Sequence, residues 1–262
     1  STLSSSSAAS DVYKRQGVCR ALLVLLVALS CCSVRAAEPQ AQPRHIRIAS
    51  EVWSDYTEAN GEGLGWDILR EVFEPLGVTI ERCSVPYTRS VGLVQRGEVD
   101  AHMGAYRDES PGVLYPHWNY DTDHIYALGL ASNPELSLAT IASYRLVWVR
   151  GYKYQDYLPN IRRYNEIRRR IGILPMLLYS RADYYIDAQT EIDYVLGQAS
   201  DPSQFKRTHL TELPLYLGFA SNPRGREMRE LYDQRMAQLV STGRLRPIFE
   251  RWKQPYPFDG SP

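Results

Sequence analysis

The sequence predicts an α/β protein organised as two units, and three observations lead to this class. The 262 residues are 44% hydrophobic, which is enough to bury a substantial core in one large domain or two small ones. Short runs with strand-like alternation take turns with longer runs at helical spacing, which favours parallel sheets flanked by helices. The pattern starts near residue 45 and begins again, with different residues, near residue 144.

The first 36 residues are interpreted as a leader. Residues 1–16 are Ser-rich and have no apolar periodicity, which indicates a non-native or disordered segment. Residues 17–36 contain an apolar run of signal-peptide length, so we expect Sec export to the periplasm with cleavage after Ala36. A loose lipobox at Cys31 leaves lipid anchoring as an alternative. Cleavage leaves Cys83 as the remaining cysteine, so no intramolecular disulfide is expected.

In the first unit the apolar spacing predicts strand, helix, strand, helix and strand in succession. The predicted strands are 45–49 and 77–82, residues 97–104 are a tight turn into a third strand, and the predicted helices are 63–76 and 87–96.

The second unit is predicted to begin with a strand and a turn, followed by short helices and one extended segment. The predicted elements are a strand at 144–149, a turn at 151–154 leading into a helix, helices at 161–171, 175–180 and 191–198, and an extended run at 183–186.

A near-repeat suggests how the two units are joined. Residues 128–134 read LGLASNP and residues 217–223 read LGFASNP. Two apolar strands that end in the same turn and bracket an α/β unit predict paired crossing strands that enter and leave an inserted domain, with coincidence as the alternative. Residues 224–253 are then expected to form helices that pack back on the first unit.

Composition and motifs limit the function classes. Thirty basic residues balance thirty acidic ones, so no charge excess points to nucleic acid. His102, His117, His124 and His209 show no metal-ligand spacing, and we expect neither a metal nor a cofactor. The absence of a nucleophile elbow or phosphate loop from the sequence argues against an enzyme.

Three groups of residues resemble a known family. Residues 65–69 (GWDIL) are similar to its Gly-x-Asp helix start, residues 86–89 with 97–101 follow in the family's order, and residues 239–245 with 248–252 look like its closing helix pair. The family is the periplasmic solute-binding proteins of ABC importers, family 3, which includes the polar-amino-acid receptors. The resemblance covers roughly residues 47–253.

This resemblance implies a type II periplasmic-binding-protein (Venus-flytrap) fold with two lobes, each a mixed, mainly parallel sheet flanked by helices. The implied segments, after the leader 1–16 and the signal peptide 17–36, are lobe 1 at 43–124, lobe 2 at 125–218, a return to lobe 1 at 219–255 and a tail at 256–262.

The resemblance also implies a function. A monomer would capture a small polar solute, an amino acid or a related compound, between its lobes and deliver it to an ABC permease. One alternative is ligand sensing for a separate membrane receptor. A second is a dehydratase-like enzyme on the same fold.

The resemblance places ligand contacts after the first strand and at the start of the second helix. Trp53 and Tyr56 are aromatic residues in a loop where a planar ring can stack on a ligand, with covering the core as the alternative. Tyr87 is a hydrogen-bond candidate. Arg89 is a carboxylate ligand candidate, although a solvated helix charge is the favoured alternative for it.

One stretch departs from the family. Amino-acid receptors carry Thr-x-x-Arg after the third strand, and the Arg binds the ligand α-carboxylate. Here residues 105–111 read AYRDESP, so the expected Arg near Pro111 is absent. Tyr106 and Arg107, the latter from a displaced position, are the candidates in this stretch, and amino-acid binding is left open.

The remaining candidates lie in the second unit. Gly151, Tyr152 and Lys153 form a strand-to-helix turn whose backbone amides could bind an anion, with a plain connection as the alternative. Asp187 follows the extended run at 183–186, where amino-acid receptors place the carboxylate that holds the ligand's ammonium group.

Overall fold

Nine strands and six α-helices make up the part of the chain that this computed structural model describes, residues 44–259. The predicted leader, signal peptide and lipobox lie outside the described residues. In chain order the elements are β1 (Arg44–Ser50), α1 (Leu64–Phe73), β2 (Val78–Ser84), α2 (Tyr87–Gln95), β3 (Ala101–Ala105), β4 (Val113–Leu114), β5 (Asp121–Leu130), β6 (Leu146–Val149), β7 (Tyr164–Ile167), α3 (Ile173–Leu178), β8 (Tyr184–Ala188), α4 (Gln189–Leu196), β9 (Phe205–Ala220), α5 (Pro223–Ser241) and α6 (Arg246–Trp252).

The strands form two mixed sheets that share β9. In the first sheet β1 pairs in parallel with β2 and β3, and β3 and β4 each pair antiparallel with the end of β9. In the second sheet β6 pairs in parallel with β7 and β8, and β5 pairs antiparallel with β8 and β9. The parallel pairs are those joined by crossover connections, as the alternating strand and helix pattern predicts.

The local sequence explains the elements of the first sheet. Alternation in β1 buries Ile46 and Ile48 completely, and the apolar face of α1 is buried from Leu64 to Phe73. At the other end of the chain the side chain of Asn222 caps α5 by accepting from the backbone N–H of Gly225, with Pro223 at the first helical position. The helices α5 and α6 both pack on α1.

The chain crosses between the sheets at two adjacent points. Asp121 at the start of β5 is paired with Leu215 on β9, and β9 continues from Tyr216 as a partner of β3 in the first sheet. The predicted boundaries at 124 and 218 fall inside these two strands.

The strands that end in the near-repeat, β5 and β9, are the paired strands that cross between the sheets, but the repeat itself lies away from the crossing point. Residues 128–130 end β5 in the second sheet, whereas residues 217–220 end β9 in the first. Because β5 and β9 are antiparallel, their carboxyl ends point in opposite directions, and the two similar turns belong to different sheets.

The helix predicted at 161–171 is wrong. Residues 164–167 form β7, an edge strand that pairs with β6, and Tyr164 stacks on Trp148 with ring centroids 4.4 Å apart. The exposed residues of an edge strand carry little periodic signal, and pairing with an open sheet edge overrides helix propensity. The polar first half of β9 was missed for the same reason, since its residues alternate only between half-buried and exposed.

None of the helices within residues 44–259 is long and apolar enough to cross a membrane.

Candidate ligand-binding cleft

A cleft of about 340 Å³ lies where the two sheets meet, and residues from both of them line it. This volume is in the range of pockets that hold small molecules. Seven of the lining residues are aromatic: Trp53, Tyr56, Tyr87, Tyr106, Tyr152, Tyr154 and Tyr256. Seven others are acidic: Glu109, Asp121, Asp123, Asp187, Glu191, Glu212 and Asp259.

The loop after β1 supplies two of the aromatic residues and one bond across the cleft. Trp53 Nε1 donates a hydrogen bond of 2.8 Å to the hydroxyl of Tyr152, which follows β6 in the second sheet. The hydroxyl of Tyr56 donates to Asp121 Oδ2 at 2.8 Å, at the point where β5 crosses between the sheets. This loop therefore contacts both the second sheet and the crossing strand.

Two further tyrosines bond to carboxylates that line the cleft. Tyr87 at the start of α2 donates to Glu109 at 2.5 Å, and Tyr106 after β3 donates to Asp123 at 2.9 Å. Glu109 also accepts from the backbone N–H of Tyr106 at 3.0 Å, which fixes the loop after β3. Burial raises the pKa of Glu109 above its ordinary value.

Asp187 ends β8 in a network built around Arg170. Asp187 is 1% exposed and accepts from the hydroxyls of Tyr185 and Tyr154, from the backbone N–H of Ala188 at 2.9 Å and from Arg170 Nε at 3.2 Å. With these four donors in place, one of them the guanidinium of Arg170, Asp187 has its hydrogen-bond partners within the protein.

Arg170 connects three carboxylates and spans the two sheets. Its guanidinium lies 3.2 Å from Asp187, 2.8 Å from Glu191 and 3.4 Å from Glu51, which follows β1 in the first sheet. It also donates to the hydroxyl of Tyr152 at 2.6 Å. The single positive charge of Arg170 is thus shared among three carboxylates.

Asp121 and Asp123 have no cationic partner among the described residues. They are two positions apart on β5 and face the same side of the strand. Burial raises the pKa of Asp121 to about 7 and that of Asp123 to about 8, and the neighbouring charge of Asp121 adds to the shift at Asp123. The donors that reach their side chains are neutral hydroxyl and amide groups.

Two buried polar atoms at the cleft have no hydrogen-bond partner among the described residues. These are Glu191 Oε1, on a residue that is 4% exposed, and the hydroxyl of Tyr256. Buried polar atoms in folded proteins are nearly always paired, so a water molecule or a ligand atom would complete the bonding of these two.

Four of the ten residues predicted for the site do not line the cleft. Arg89 is exposed on α2. Arg107 is exposed as well. Its guanidinium is held away from the cleft, since it donates to the carbonyls of Pro116 and His117 and lies 4.3 Å from the ring centroid of Tyr216. Gly151 and Lys153 lie beside the cleft, where Lys153 Nζ donates to the backbone carbonyl of Glu109 at 3.0 Å.

The turn at 151–154 does not offer its amides to an anion. The N–H of Gly151 donates to Glu166 and the N–H of Tyr152 donates to the carbonyl of Val149. The segment that follows is a single 3₁₀ turn, Tyr154–Asp156, so no α-helix N-terminus is present there. Tyr152 lines the cleft through its side chain instead.

Sequence reasoning missed Arg170, Asp121, Asp123 and Glu191. Arg170 was hidden in the basic run at 168–170 within a segment predicted as helix. Asp121 and Asp123 alternate with Thr122 and His124 at a strand start. This alternation predicts that the two aspartates share one face of the strand, but it does not predict that this face lines a cleft. Glu191 lies in the first turn of a helix, where an acid is ordinarily explained by the helix dipole.

The pairing of β5 with β9 also brings two histidines close to a carboxylate. Donor atoms of His124, His209 and Glu212 all lie within 4.8 Å of one another, at the edge of the cleft. His124 Nδ1 is 3.2 Å from Glu212 Oε1. The linear spacing of the histidines gave no indication of this group, because it depends on strand register.

The sequence matches no protein-family model and no curated protein. Solved structures do match the fold. The substrate-binding protein of an amino acid ABC transporter aligns with a TM-score of 0.64 at 14% identity, over 80% of this chain and 100% of that one. A histidine kinase sensor domain with similarity to periplasmic binding proteins aligns with a TM-score of 0.67 at 15% identity, over 80% of this chain and 96% of that one.

A third match links the fold to an enzyme lineage. The ancestral amino acid-binding protein AncCDT-1, a precursor of cyclohexadienyl dehydratase, aligns with a TM-score of 0.62 at 16% identity, over 79% of this chain and 95% of that one. At such identities the matches establish fold and not ligand. The chain has the two-lobed fold of the type II periplasmic binding proteins.

Proposed function

We propose that this protein is an exported solute-binding protein that closes its two lobes around a small polar solute and delivers it to an ABC permease. The observation that carries the proposal is the cleft itself, which is lined by both sheets and by the two strands that cross between them. In this proposal lobe 1 comprises residues 43–124 with the returning segment 219–255, and lobe 2 comprises residues 125–218.

The contacts across the cleft are those that a clamp requires. Trp53 to Tyr152 and Arg170 to Glu51 join the lobes directly, while the lobes are covalently linked through β5 and β9. A third polar contact between the lobes is the hydrogen bond from Lys153 Nζ to the carbonyl of Glu109. Breaking these few contacts and bending two strands opens such a cleft at modest cost, and a solute that binds the closed form more tightly than the open form shifts the protein towards the closed form. A membrane partner can then distinguish the loaded protein from the empty one.

Thermal unfolding of the purified chain against a panel of small solutes tests the proposal. The panel comprises amino acids, amines, small organic acids and sugars. A solute that binds the native state alone at 100 times its Kd adds about 2.7 kcal/mol to the free energy of unfolding, which raises Tm by several degrees. If no class of solute raises Tm, the solute-binding proposal fails.

Two other functions share this geometry. A sensor for a membrane receptor would bind its ligand in the same way, and binding of the loaded protein to permease or receptor in membrane vesicles would distinguish the two.

An enzyme is the second alternative, since Asp121 and Asp123, with pKa values raised to about 7 and 8, are in the range of general acids and bases. Recovery of the bound solute unchanged, judged by NMR after prolonged incubation, would exclude turnover.

A further inference from the structure

The cleft has a charge imbalance that the folded chain does not neutralise. None of the described residues that line it is Lys or Arg. The cations that contact the lining residues are already in use, since Arg170 contacts Glu51, Asp187 and Glu191, Arg246 pairs with Asp259, and Lys153 donates to a backbone carbonyl. Asp121 and Asp123 add two carboxylates without a cation among the described residues.

Neutral donors hold Asp121 and Asp123 in place. The hydroxyls of Tyr56 and Tyr106 bond to them at 2.8 and 2.9 Å, which orients the carboxylates without compensating their charge. Removing a carboxylate from water is costly unless a cation or a proton accompanies it. A cation bound in the cleft would supply that compensation.

Glu191 provides an independent indication. One of its oxygens is 2.8 Å from Arg170, while the other is buried and has no hydrogen-bond partner within residues 44–259. A carboxylate oxygen in this state requires a donor, which means an N–H or O–H group and not a quaternary ammonium group.

The aromatic lining is suited to the same ligand chemistry. The ring of Tyr87 packs against those of Trp53 and Tyr152, with centroids 6.3 and 5.5 Å away. Ring faces of Trp and Tyr attract cations, and the attraction is stronger in a desolvated site. The rings also provide apolar surface for a methylene chain.

A ligand carboxylate would find no Lys or Arg partner among the described residues that line the cleft. Arg107 and Arg89, the arginines predicted for that role, are exposed and do not line the cleft. In their ionised forms Asp121, Asp123 and Glu191 would each repel a carboxylate placed among them.

We infer that the solute is an organic cation with N–H donors and no carboxylate, a primary amine, diamine or guanidine on an apolar chain. The inference rests on the proposed function, because it names the class of solute that the same cleft binds.

Two pairs of compounds that differ only in the carboxylate test it by isothermal titration calorimetry. Cadaverine is lysine without its carboxylate, and agmatine is arginine without its carboxylate. We expect at least one amine to bind the purified chain on the order of 100-fold more tightly than its parent amino acid, because like-charge contacts are costly in a desolvated site.

The outcomes separate the two proposals. If an amino acid binds as tightly as its amine, or more tightly, the inference is overturned while the solute-binding function stands. If neither amine binds but a sugar or organic acid from the wider panel does, the inference is again overturned and the function stands. If no solute of any class binds, both fail.

Isosteric variants locate the cation. Asp123→Asn and Glu191→Gln each keep the shape of the side chain and remove its charge, and each should weaken amine binding about tenfold or more. Glu135→Gln, an exposed acid outside the cleft, should leave the affinity unchanged. Unchanged affinity in both cleft variants, with Tm at or above the wild-type value, would overturn the assignment.

Discussion

Arg170 is the residue on which the electrostatics of the cleft depend. Its side chain is 11% exposed and its partners Asp187 and Glu191 are buried more deeply, at 1% and 5%. Coulombic attraction from several carboxylates and tyrosines holds its pKa above the ordinary value despite the opposing effect of burial. The guanidinium is suited to this position because its planar set of donors reaches carboxylates and a hydroxyl at once.

Replacing Arg170 by Met should destabilise the protein by roughly 3–5 kcal/mol, because it leaves buried carboxylates without their cation. Urea denaturation of the variant measures this loss. Arg145→Met is a matched control, since the Arg145 to Asp183 pair is at the surface, with side chains 44% and 26% exposed, and should cost about 1 kcal/mol or less. Equal losses in the two variants would contradict the role assigned to Arg170.

Asp123 should make the stability of the unliganded protein fall as pH rises. Burial raises its pKa from 3.8 to about 8, so the folded chain holds this proton more tightly than the unfolded chain does. The resulting stabilisation is complete below about pH 4 and is lost as pH rises towards 8. Asp123→Asn cannot ionise and keeps an acceptor for Tyr106.

The variant should therefore match the wild type near pH 4 and exceed it in Tm above about pH 8. Thermal unfolding over this range measures the difference. The same pH profile in both proteins would show that Asp123 is not the titrating group.

At the scale of elements, β9 determines how the two lobes are joined. Its first ten residues pair with β5 in the second sheet, and from Tyr216 onward it pairs with β3 in the first. The close approach of β9 to β3 depends on Gly218, which is opposite His102. His102 is fully buried, and burial lowers its pKa to about 4, so the ring remains neutral at this contact.

Gly218→Ala should cost about 1–3 kcal/mol, because the added methyl group would overlap the ring of His102 and come within 2.8 Å of Val113 Cγ1. Chemical denaturation measures the loss. Gly172→Ala is the control, since nothing lies within 4 Å of the added atom, and it should change stability by no more than about 1 kcal/mol. A neutral Gly218→Ala would mean that β9 and β3 can separate without cost.

At the scale of the whole molecule, closure depends on a few polar contacts between the lobes. The hydroxyl of Tyr152 takes part in one of these contacts, since it accepts from Trp53 of lobe 1, and it also accepts from Arg170 within lobe 2. Arg170 in turn reaches Glu51, so one chain of contacts runs from lobe to lobe.

Tyr152→Phe should shift the protein towards an open form and weaken solute binding by about tenfold, the effect of losing about 1.4 kcal/mol of hydrogen bonding. Small-angle scattering of the unliganded variant should give a larger radius of gyration than the wild type. Tyr179→Phe, at a side chain that is 74% exposed, should change neither quantity. An unaltered radius and affinity in Tyr152→Phe would show that this contact does not hold the lobes together.

The sequence by itself determined the elements whose signal is local. Strands β1, β2 and β3 and helices α1 and α2 lie close to their predicted bounds, because each buries one face and the burial repeats at the period of the element. Trp53, Tyr152 and Asp187 follow or end predicted strands at positions where the resembled family places ligand contacts, and the structure places all three at the cleft.

Only the tertiary structure decided what depends on register and side-chain direction. β7 is a strand because β6 offers it an edge, and Arg107 turns away from the cleft because two carbonyls and the ring of Tyr216 hold it elsewhere. Arg170, Asp123 and Glu191 come from three separate segments, and their charges interact only after β5, β8 and β9 pair. Long-range pairing sets these distances, and no local pattern in the sequence records it.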